Sequence, residues 1–585
     1  MNTRDVSRTA LIPGLDAVLK EIDISRIWAH MEYFNTFEKL SGKPEALKFT
    51  DYAAAYLDKE QIPYTMERFD AFLSNPVESF LEAGGEEIPS RPRSFGACCP
   101  EGVRAPLVYD PYNRSGGGTE LEKQQLYRTF AGKIVLSHGF DERYAKIAEA
   151  NGALAWIQVW ESDDPDIHED TVSPVWGTPD LDSRFFRLRI PVIAITWASG
   201  ERLIRMLEER DGQMEVFLRS VTEETVSQVV LPVAQIPGRS EDFVLLSDHY
   251  DTWYVGAFDN GTANAASLEL ARVFWKHRDQ MERSLRIAWW PGHSNGRYMG
   301  SAWYCDHHWD DLYHRCIASL NSDLIGARDS DTLFIRTTGF EGRAFLTDIA
   351  RAAAPGAPVR FGRIGRGADQ SFFGCGIPYH INPRLEMDPD RRTTTSPGGH
   401  PWWHTADDLL KHVDRQVLET DARILGAFTW AFLASPRLPG QPGEYFASFL
   451  QDLEHLRRFP EYETGLDQLI QAVRRTGEQF EALLAEAENR PRLRLAAIRL
   501  AAGTINRLRQ SSGSPYEPDT AFAYGPLHLL GDSCRYGKEE CPPELHLFAR
   551  TTFIRQRNRF LTELELLNAR MDQLIRQKEE YPYEP

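Results

Sequence analysis

Residues 245–326 constrain this chain more than any other stretch. Short apolar runs there end on histidine or aspartate: Ser247-Asp248-His249-Tyr250-Asp251, then Gly256-Ala257-Phe258-Asp259-Asn260-Gly261, and later Asn321-Ser322-Asp323. Between them lie an amphipathic run, an apolar run at 285–290 and the turn Pro291-Gly292-His293-Ser294-Asn295-Gly296. Imidazole and carboxylate delivered from several strand ends, with a position left for water, form the donor set of a zinc-type cation. Taken singly, each residue reads equally well as a helix cap or a surface polar group. Taken together and in this order, with His404 after Trp402-Trp403 downstream, they read as a metal site. Asp251, two residues after His249, is placed to orient that imidazole through its other nitrogen.

From residue 229 to about 436 strands and helices alternate, which predicts an α/β sheet. Strands are expected at 243–247, 285–290, 318–323 and 332–336, and helices at 261–276, 340–353 and 407–433. Residues 25–60 look helical and 64–69 read as a strand; this unit is too small to bury its own apolar face and should join the later sheet. Near residue 91 the pattern changes to short β-like runs at 103–109, 133–137, 154–159 and 191–196. They are accompanied by one helix at 142–151 and a Pro- and Asp-rich loop, 161–182, without periodicity. From 443 onward the apolar spacing is helical, with a Gly/Pro-rich interruption at 511–543. Four regions follow: 1–90, the N-terminal part of the α/β domain; 91–231, a β-rich insert; 232–435, the main α/β domain; and 436–585, a helical C-terminal domain.

A net charge of −19 argues against nucleic acid or an anionic membrane as partner. No leader and no apolar run of about 18 residues is visible. Of the seven cysteines Cys98 and Cys99 are adjacent and the others scattered, with no CxxC pair, which predicts reduced thiols and a cytoplasmic location.

The set His249-Tyr250-Asp251, Gly256-Ala257-Phe258-Asp259-Asn260, Leu268-Glu269-Leu270-Ala271-Arg272, Gly300-Ser301, Asn321-Ser322-Asp323 and Trp403-His404-Thr405 resembles the M28 family of co-catalytic zinc aminopeptidases and carboxypeptidases. The resemblance covers roughly residues 25–90 and 230–435. Gly132-Lys133-Ile134-Val135-Leu136, Asn151-Gly152-Ala153 and Ile190-Pro191-Val192-Ile193 resemble a protease-associated domain. With the helical tail, that insert resembles the glutamate carboxypeptidase and transferrin receptor branch. The resemblance implies an M28 aminopeptidase-like mixed sheet holding Zn2+, one or two per chain, with another divalent metal as an option. His249 and Asp323 would hold one metal, Asp259 would bridge two, His404 would hold the second, and Asp251 would support them from behind. A homodimer through the helical domain is expected.

One motif departs from the family. After the strand the family keeps two consecutive glutamates, a general base and a metal ligand. Here the two places carry His293 and Ser294, or Ser294 and Asn295 when counted back from Gly300-Ser301. His293 either ligates the second metal beside Asp259 and His404 or serves as general base. The same turn matches G-x-S-x-G, and the order Ser294, Asp323, His404 satisfies that of a serine hydrolase. Arg297 and Tyr298 follow the turn directly, and Arg363, Arg366 and Asp369 lie further on, before Gln370-Ser371-Phe372; such arginines suit a substrate carboxylate. His380 reads as a core histidine, and His307, His308 and His314 as the polar face of one helix. The expected function is metal-dependent cleavage of a C–N bond, amide or peptide-like, in a small carboxylated substrate. Beside it stand a non-hydrolytic lyase on the same scaffold, a serine hydrolase using Ser294, and a non-catalytic transferrin receptor-like binding protein.

Overall fold

The computed structural model describes residues 12–113, 117–139 and 141–581. What was expected of residues 1–11 lies outside the described residues. The chain opens with helices α1 (Leu15–Glu21), α2 (Ile24–Phe34) and α3 (Leu47–Lys59). Strands β1 (Tyr64–Ala83), β2 (Glu86–Ile88), β3 (Arg91–Pro92) and β4 (Cys99–Asp110) lead through α4 (Glu120–Tyr127), β5 (Ile134–His138), α5 (Glu142–Ala150), β6 (Ala155–Val159), β7 (Val192–Ile195) and α6 (Trp197–Glu208) to β8 (Glu215–Ile236). The next part is β9 (Phe243–His249), α7 (Thr262–His277), β10 (Ser284–Trp290), α8 (Met299–His307), α9 (Trp309–Arg315), β11 (Cys316–Asn321), β12 (Thr332–Thr337), α10 (Arg343–Ala353), β13 (Val359–Arg363) and β14 (Tyr379–Glu386). It closes with α11 (Arg415–Ala434), and α12 (Pro442–His455), α13 (Pro460–Glu486), α14 (Pro491–Gln510), α15 (His528–Ser533) and α16 (Pro543–Arg576) form the C-terminal bundle.

β9 is buried at every position, because it lies between parallel neighbours β10 and β11 with both faces covered. Such a strand reads as a continuous apolar run rather than an alternation. Helices α1, α2, α7 and α11 pack over one face, through Leu19, Met31, Leu268 and Phe428. Leu245, Trp290, Met299 and Phe372 fill the other. Beyond β11 the order continues β14, β12, β13, with β12 antiparallel to β14, so the sheet is mixed.

On its other side β10 pairs antiparallel with β8, which pairs with β1 from Tyr64↔Ala234 to Ala83↔Val216, with one register shift between Pro76 and Glu78. This ribbon is common to two layers: β8 meets β10 through Val233 to Ile236 and β4 through Glu215 to Ser220. The β-rich layer β4-β5-β6-β7-β3 therefore hangs from strands rooted in the main sheet.

Several expected elements differ in detail. Residues 25–60 form two helices: the first ends at Phe34, and the connection to Leu47 carries Gly42 at φ +81° and Pro44. The helix expected at 407–433 starts at Arg415, where Asp414 caps the amides of Gln416 and Val417; before it stands only a single 3-10 turn, Leu410–His412. His307 and His314 lie on separate helices, α8 and α9, with His308 at the break, 3.0 Å from Glu67. His380 is fully buried, as expected. Strand β14 was not foreseen: it is buried throughout, yet carries Arg384 and Glu386, which pair with each other 2.7 Å apart.

Candidate active site

The parallel register puts the C-terminal ends of β9, β10 and β11 at one edge, the place where open α/β sheets bind ligands. His249 ends β9, His293 lies in the turn after β10, and Asp323 follows β11 by two residues. Asp259 comes from the irregular turn before α7 and His404 from the loop before α11. His249 Nε2 lies 3.1 Å from Asp259 Oδ1 and 3.4 Å from Asp323 Oδ1, and His404 Nε2 lies 2.9 Å from Asp259 Oδ2. Asp259 thus stands between the two histidines, one oxygen toward each.

His249 Nε2, Asp259 Oδ1 and Asp323 Oδ1 are buried without a hydrogen-bond partner. A buried polar atom is costly unless it is satisfied, and one nitrogen and two carboxylate oxygens left open at one point fit a cation. His249, His293 and Asp323 also bring one donor atom each within 4.8 Å of one another. Imidazole and carboxylate fit a zinc-type ion on the His249 side. The His404 side offers Asp259 and His404, and in the turn after β10 Ser294 keeps a buried, unpartnered Oγ. Burial alone would lower the imidazolium pKa of His249 and His404, but the carboxylates outweigh it and raise both.

The neighbours of the ligands are only in part those expected. The Asp251 carbonyl, not its carboxylate, accepts from His249 Nδ1 at 2.8 Å. Its buried carboxylate instead accepts the amides of His293 and Ser294 at 3.0 and 3.1 Å, and so shapes the turn after β10. His404 Nδ1 donates to the Glu169 carbonyl at 2.8 Å, and the Glu169 amide returns a bond to the His404 carbonyl. Glu169 belongs to the loop 161–182, which looked featureless in sequence but is largely buried over the site. Asp408 accepts the amides of Phe258 and Asp259 at 2.8 and 3.0 Å. Arg384 donates to the Asp323 carbonyl at 2.9 Å. Glu169 and Asp408, each beside another acidic residue in a loop with no period to mark it, were missed in sequence, and Asp369 was noted beside Arg366 without this role.

The His293 ring stacks on His249, centroids 3.7 Å apart. Its Nδ1 lies 2.7 Å from Asp369 Oδ2. The edge of Tyr298 approaches it, with centroids 4.8 Å apart, and Tyr298 leans on Trp176 of the insert at 4.4 Å. Arg297, Tyr298, Leu324, Asp369 and His404 all have φ between +50° and +64°. Each costs of order 1–3 kcal/mol, and such residues cluster where function dictates the backbone.

Two expectations about this turn are corrected by the geometry. Ser294 Oγ has no hydrogen-bond partner, and both nitrogens of His404 are engaged, by Asp259 and the Glu169 carbonyl, so no Ser–His pair exists for a serine hydrolase. The arginines expected to grip a substrate are committed within the protein. Arg297 pairs with Glu142, which burial pushes up to about 7 against the pull of Arg297, and it also reaches the Ala521 carbonyl. Arg366 donates to the carbonyls of Asp519 and Thr520, and Arg363 pairs with Asp452. Beside the turn a groove of about 900 Å³ runs between insert, α8 and the 516–520 segment. Its lining includes Trp176, Phe186, Trp303 and five carboxylates, and no Lys, Arg or His.

Residues 232–429, which carry all five converging side chains, match the model of peptidase family M28. Aminopeptidase YwaD of Bacillus subtilis is 24% identical over 413 residues, covering 68% of this chain and 82% of that protein. Aminopeptidase NAALADL1 of Mus musculus is 25% identical, covering 35% of this chain and 30% of that one. Among solved structures, a peptidase M28 precursor from Shewanella amazonensis superposes with a TM-score of 0.59 at 17% identity, over 74% of this chain and 99% of the other. A zinc aminopeptidase from Bacillus subtilis superposes with a TM-score of 0.55 at 20% identity, over 71% and 97%.

Proposed function

We propose that this chain, whose residues 232–429 match the model of peptidase family M28, hydrolyses a peptide or amide bond with His293 as general base in place of a glutamate. The observation that carries the reading is the meeting of three orphaned donor atoms, on His249, Asp259 and Asp323, beneath a histidine stacked on the first of them. His249, Asp259 and Asp323 would hold one zinc-type cation; His404 supports Asp259 from the far side. When bound, such a cation polarises a carbonyl and lowers the pKa of water.

The chain's own residues do the rest. His293 takes the water proton and returns it to the leaving amine, a role worth about 10²–10⁴ in rate. Asp251 holds the turn that presents His293. The insert loop, through Glu169, fixes the orientation of His404 and shuts water from that side. The acidic, aromatic groove beside Trp176 receives the remainder of a peptide-like substrate. It favours an amine or basic group over the carboxylated substrate expected from Arg297 and Arg366. Nothing favours elimination over hydrolysis. The protease-associated character of the insert, a homodimer through the C-terminal bundle and a cytoplasmic location suited to seven free cysteines complete the proposal. No helix among the described residues is long and apolar enough to cross a membrane.

The test is release of amine from a panel of dipeptides and aminoacyl amides by zinc-loaded protein. Activity should vanish with chelator and fall about 10²-fold or more in His293→Gln. A fluorophosphonate should leave Ser294 unlabelled. Chelator-resistant turnover with labelled Ser294 would overturn the reading.

A further inference from the structure

We propose that Asp369 positions His293, and that Asp369 is itself set by a hydrogen-bond relay that begins in the insert at Trp176. The proposal rests on His293 being the working side chain of the turn. Trp176 Nε1 lies 2.8 Å from Ser371 Oγ, Ser371 Oγ 2.8 Å from Ser301 Oγ, Ser301 Oγ 2.7 Å from Asp369 Oδ1, and Asp369 Oδ2 2.7 Å from His293 Nδ1. The chain is unbroken from the insert loop to the ring stacked on His249.

Counting protons gives it one direction. Indole nitrogen can only donate, and each hydroxyl has one proton to give. Trp176 therefore donates to Ser371, Ser371 to Ser301, and Ser301 to Asp369 Oδ1. The Tyr298 carbonyl is a longer alternative for Ser301, at 3.1 Å, but would leave Asp369 Oδ1 without a donor. Asp369 is 2% exposed and accepts at both oxygens, so the second bond must come from Nδ1–H of His293. In the neutral ring that leaves Nε2 as the nitrogen with a lone pair, the one a base or a ligand uses. The Asp369 backbone sits at φ +62° directly after Ala368 at φ +40°, a strained pair that the relay holds in place. Trp176 is in turn covered by the Arg366 guanidinium, 4.3 Å from its ring, and it lines the groove. Asp369, Ser371 and Trp176 thus act on the reaction through His293, as positioning residues.

The experiment pairs kinetics with a direct look at the ring. In zinc-loaded protein, Asp369→Asn should lower kcat about 10- to 100-fold. KM should move less than about twofold and the metal content should not change. In a His293→Gln background the same substitution should change kcat by less than about twofold, because its route to the reaction is gone. Trp176→Phe and Ser371→Ala should show smaller losses with the same background dependence. Separately, 15N NMR of histidine-labelled, zinc-loaded protein, with His293 assigned by loss of its signals in His293→Gln, should show the proton on Nδ1. Asp369→Asn should release that preference. Equal losses in both backgrounds, or a proton on Nε2 in the wild type, would overturn the proposal. If wild type cleaves no substrate, the reading of function fails, while the NMR arm still decides the role of Asp369.

Discussion

The carboxylate of Asp251 takes two amides of the turn after β10, and its carbonyl takes His249 Nδ1. The charge itself is fully buried. Asp251→Ala leaves two buried N–H groups without acceptors, at about 1–3 kcal/mol each, and should lower the melting temperature as well as kcat. Asp251→Asn, which keeps one acceptor, should recover part of both; thermal melts alongside kinetics check this. A second residue far from the site gives a pH signature. Burial lifts the carboxyl of Glu341 from 4.5 to about 7, with only the Thr337 hydroxyl and local amides as partners, and its Oε1 has none. The folded state then binds a proton that the unfolded chain has released between pH 4.5 and 7, so this group's contribution to stability falls as pH rises through that window and stays low above it. Glu341→Gln should be more stable than wild type at pH 8 by about 3 kcal/mol, and the advantage should vanish at pH 4. Urea melts at the two pH values measure it. The four ligand candidates were legible because each ends an apolar run in a fixed order. The roles of Asp369, Asp408 and Glu169 were not, because an acidic residue in a loop acquires its role only from what the fold places beside it.

Elements were legible where one physical pattern dominates. β9 and β10 are covered on both faces and read as apolar runs, and α7 follows as an amphipathic run. β14 escaped because its charged residues are satisfied inside: Glu386 is bound by Arg336, Arg384 and Arg392, which hold it far below its usual range against the cost of burial. The 161–182 loop escaped because it is held by side chains such as Asp164, which accepts from Trp160, Ser162 and Thr394, and not by any period. Packing between elements makes a further prediction. A Cβ on Gly503 of α14 would lie 2.0 Å from the Gly376 carbonyl oxygen, backbone on backbone. Gly503→Ala gains about 1 kcal/mol of helix propensity. It should nevertheless destabilise the protein, because the overpacking costs about 1–3 kcal/mol or more and shifts the loop that carries Asp369. A urea midpoint above that of the wild type would contradict this close crossing.

At the scale of the molecule, three parts of the chain close one site. The insert holds His404 through Glu169 and reaches the turn through Glu142 and Arg297. The C-terminal segment 519–521 binds Arg366 and Arg297, and the Ala521 amide donates to the Pro174 carbonyl at 2.9 Å. A chain ending at residue 436 should therefore lose activity even if it folds, with a large rise in susceptibility to protease around residues 174–186. The alternation of strands and helices announced the α/β domain, but the closure over the site was hidden, since contacts between distant segments leave no local pattern. The central claim is that His249, Asp259 and Asp323 form one complete cation site while the His404 side lacks a third donor. Elemental analysis of the purified protein, wild type and His249→Ala, tests it most directly. The account predicts one zinc-type ion per chain in the wild type and none in His249→Ala; two ions in the wild type, or none, would contradict it.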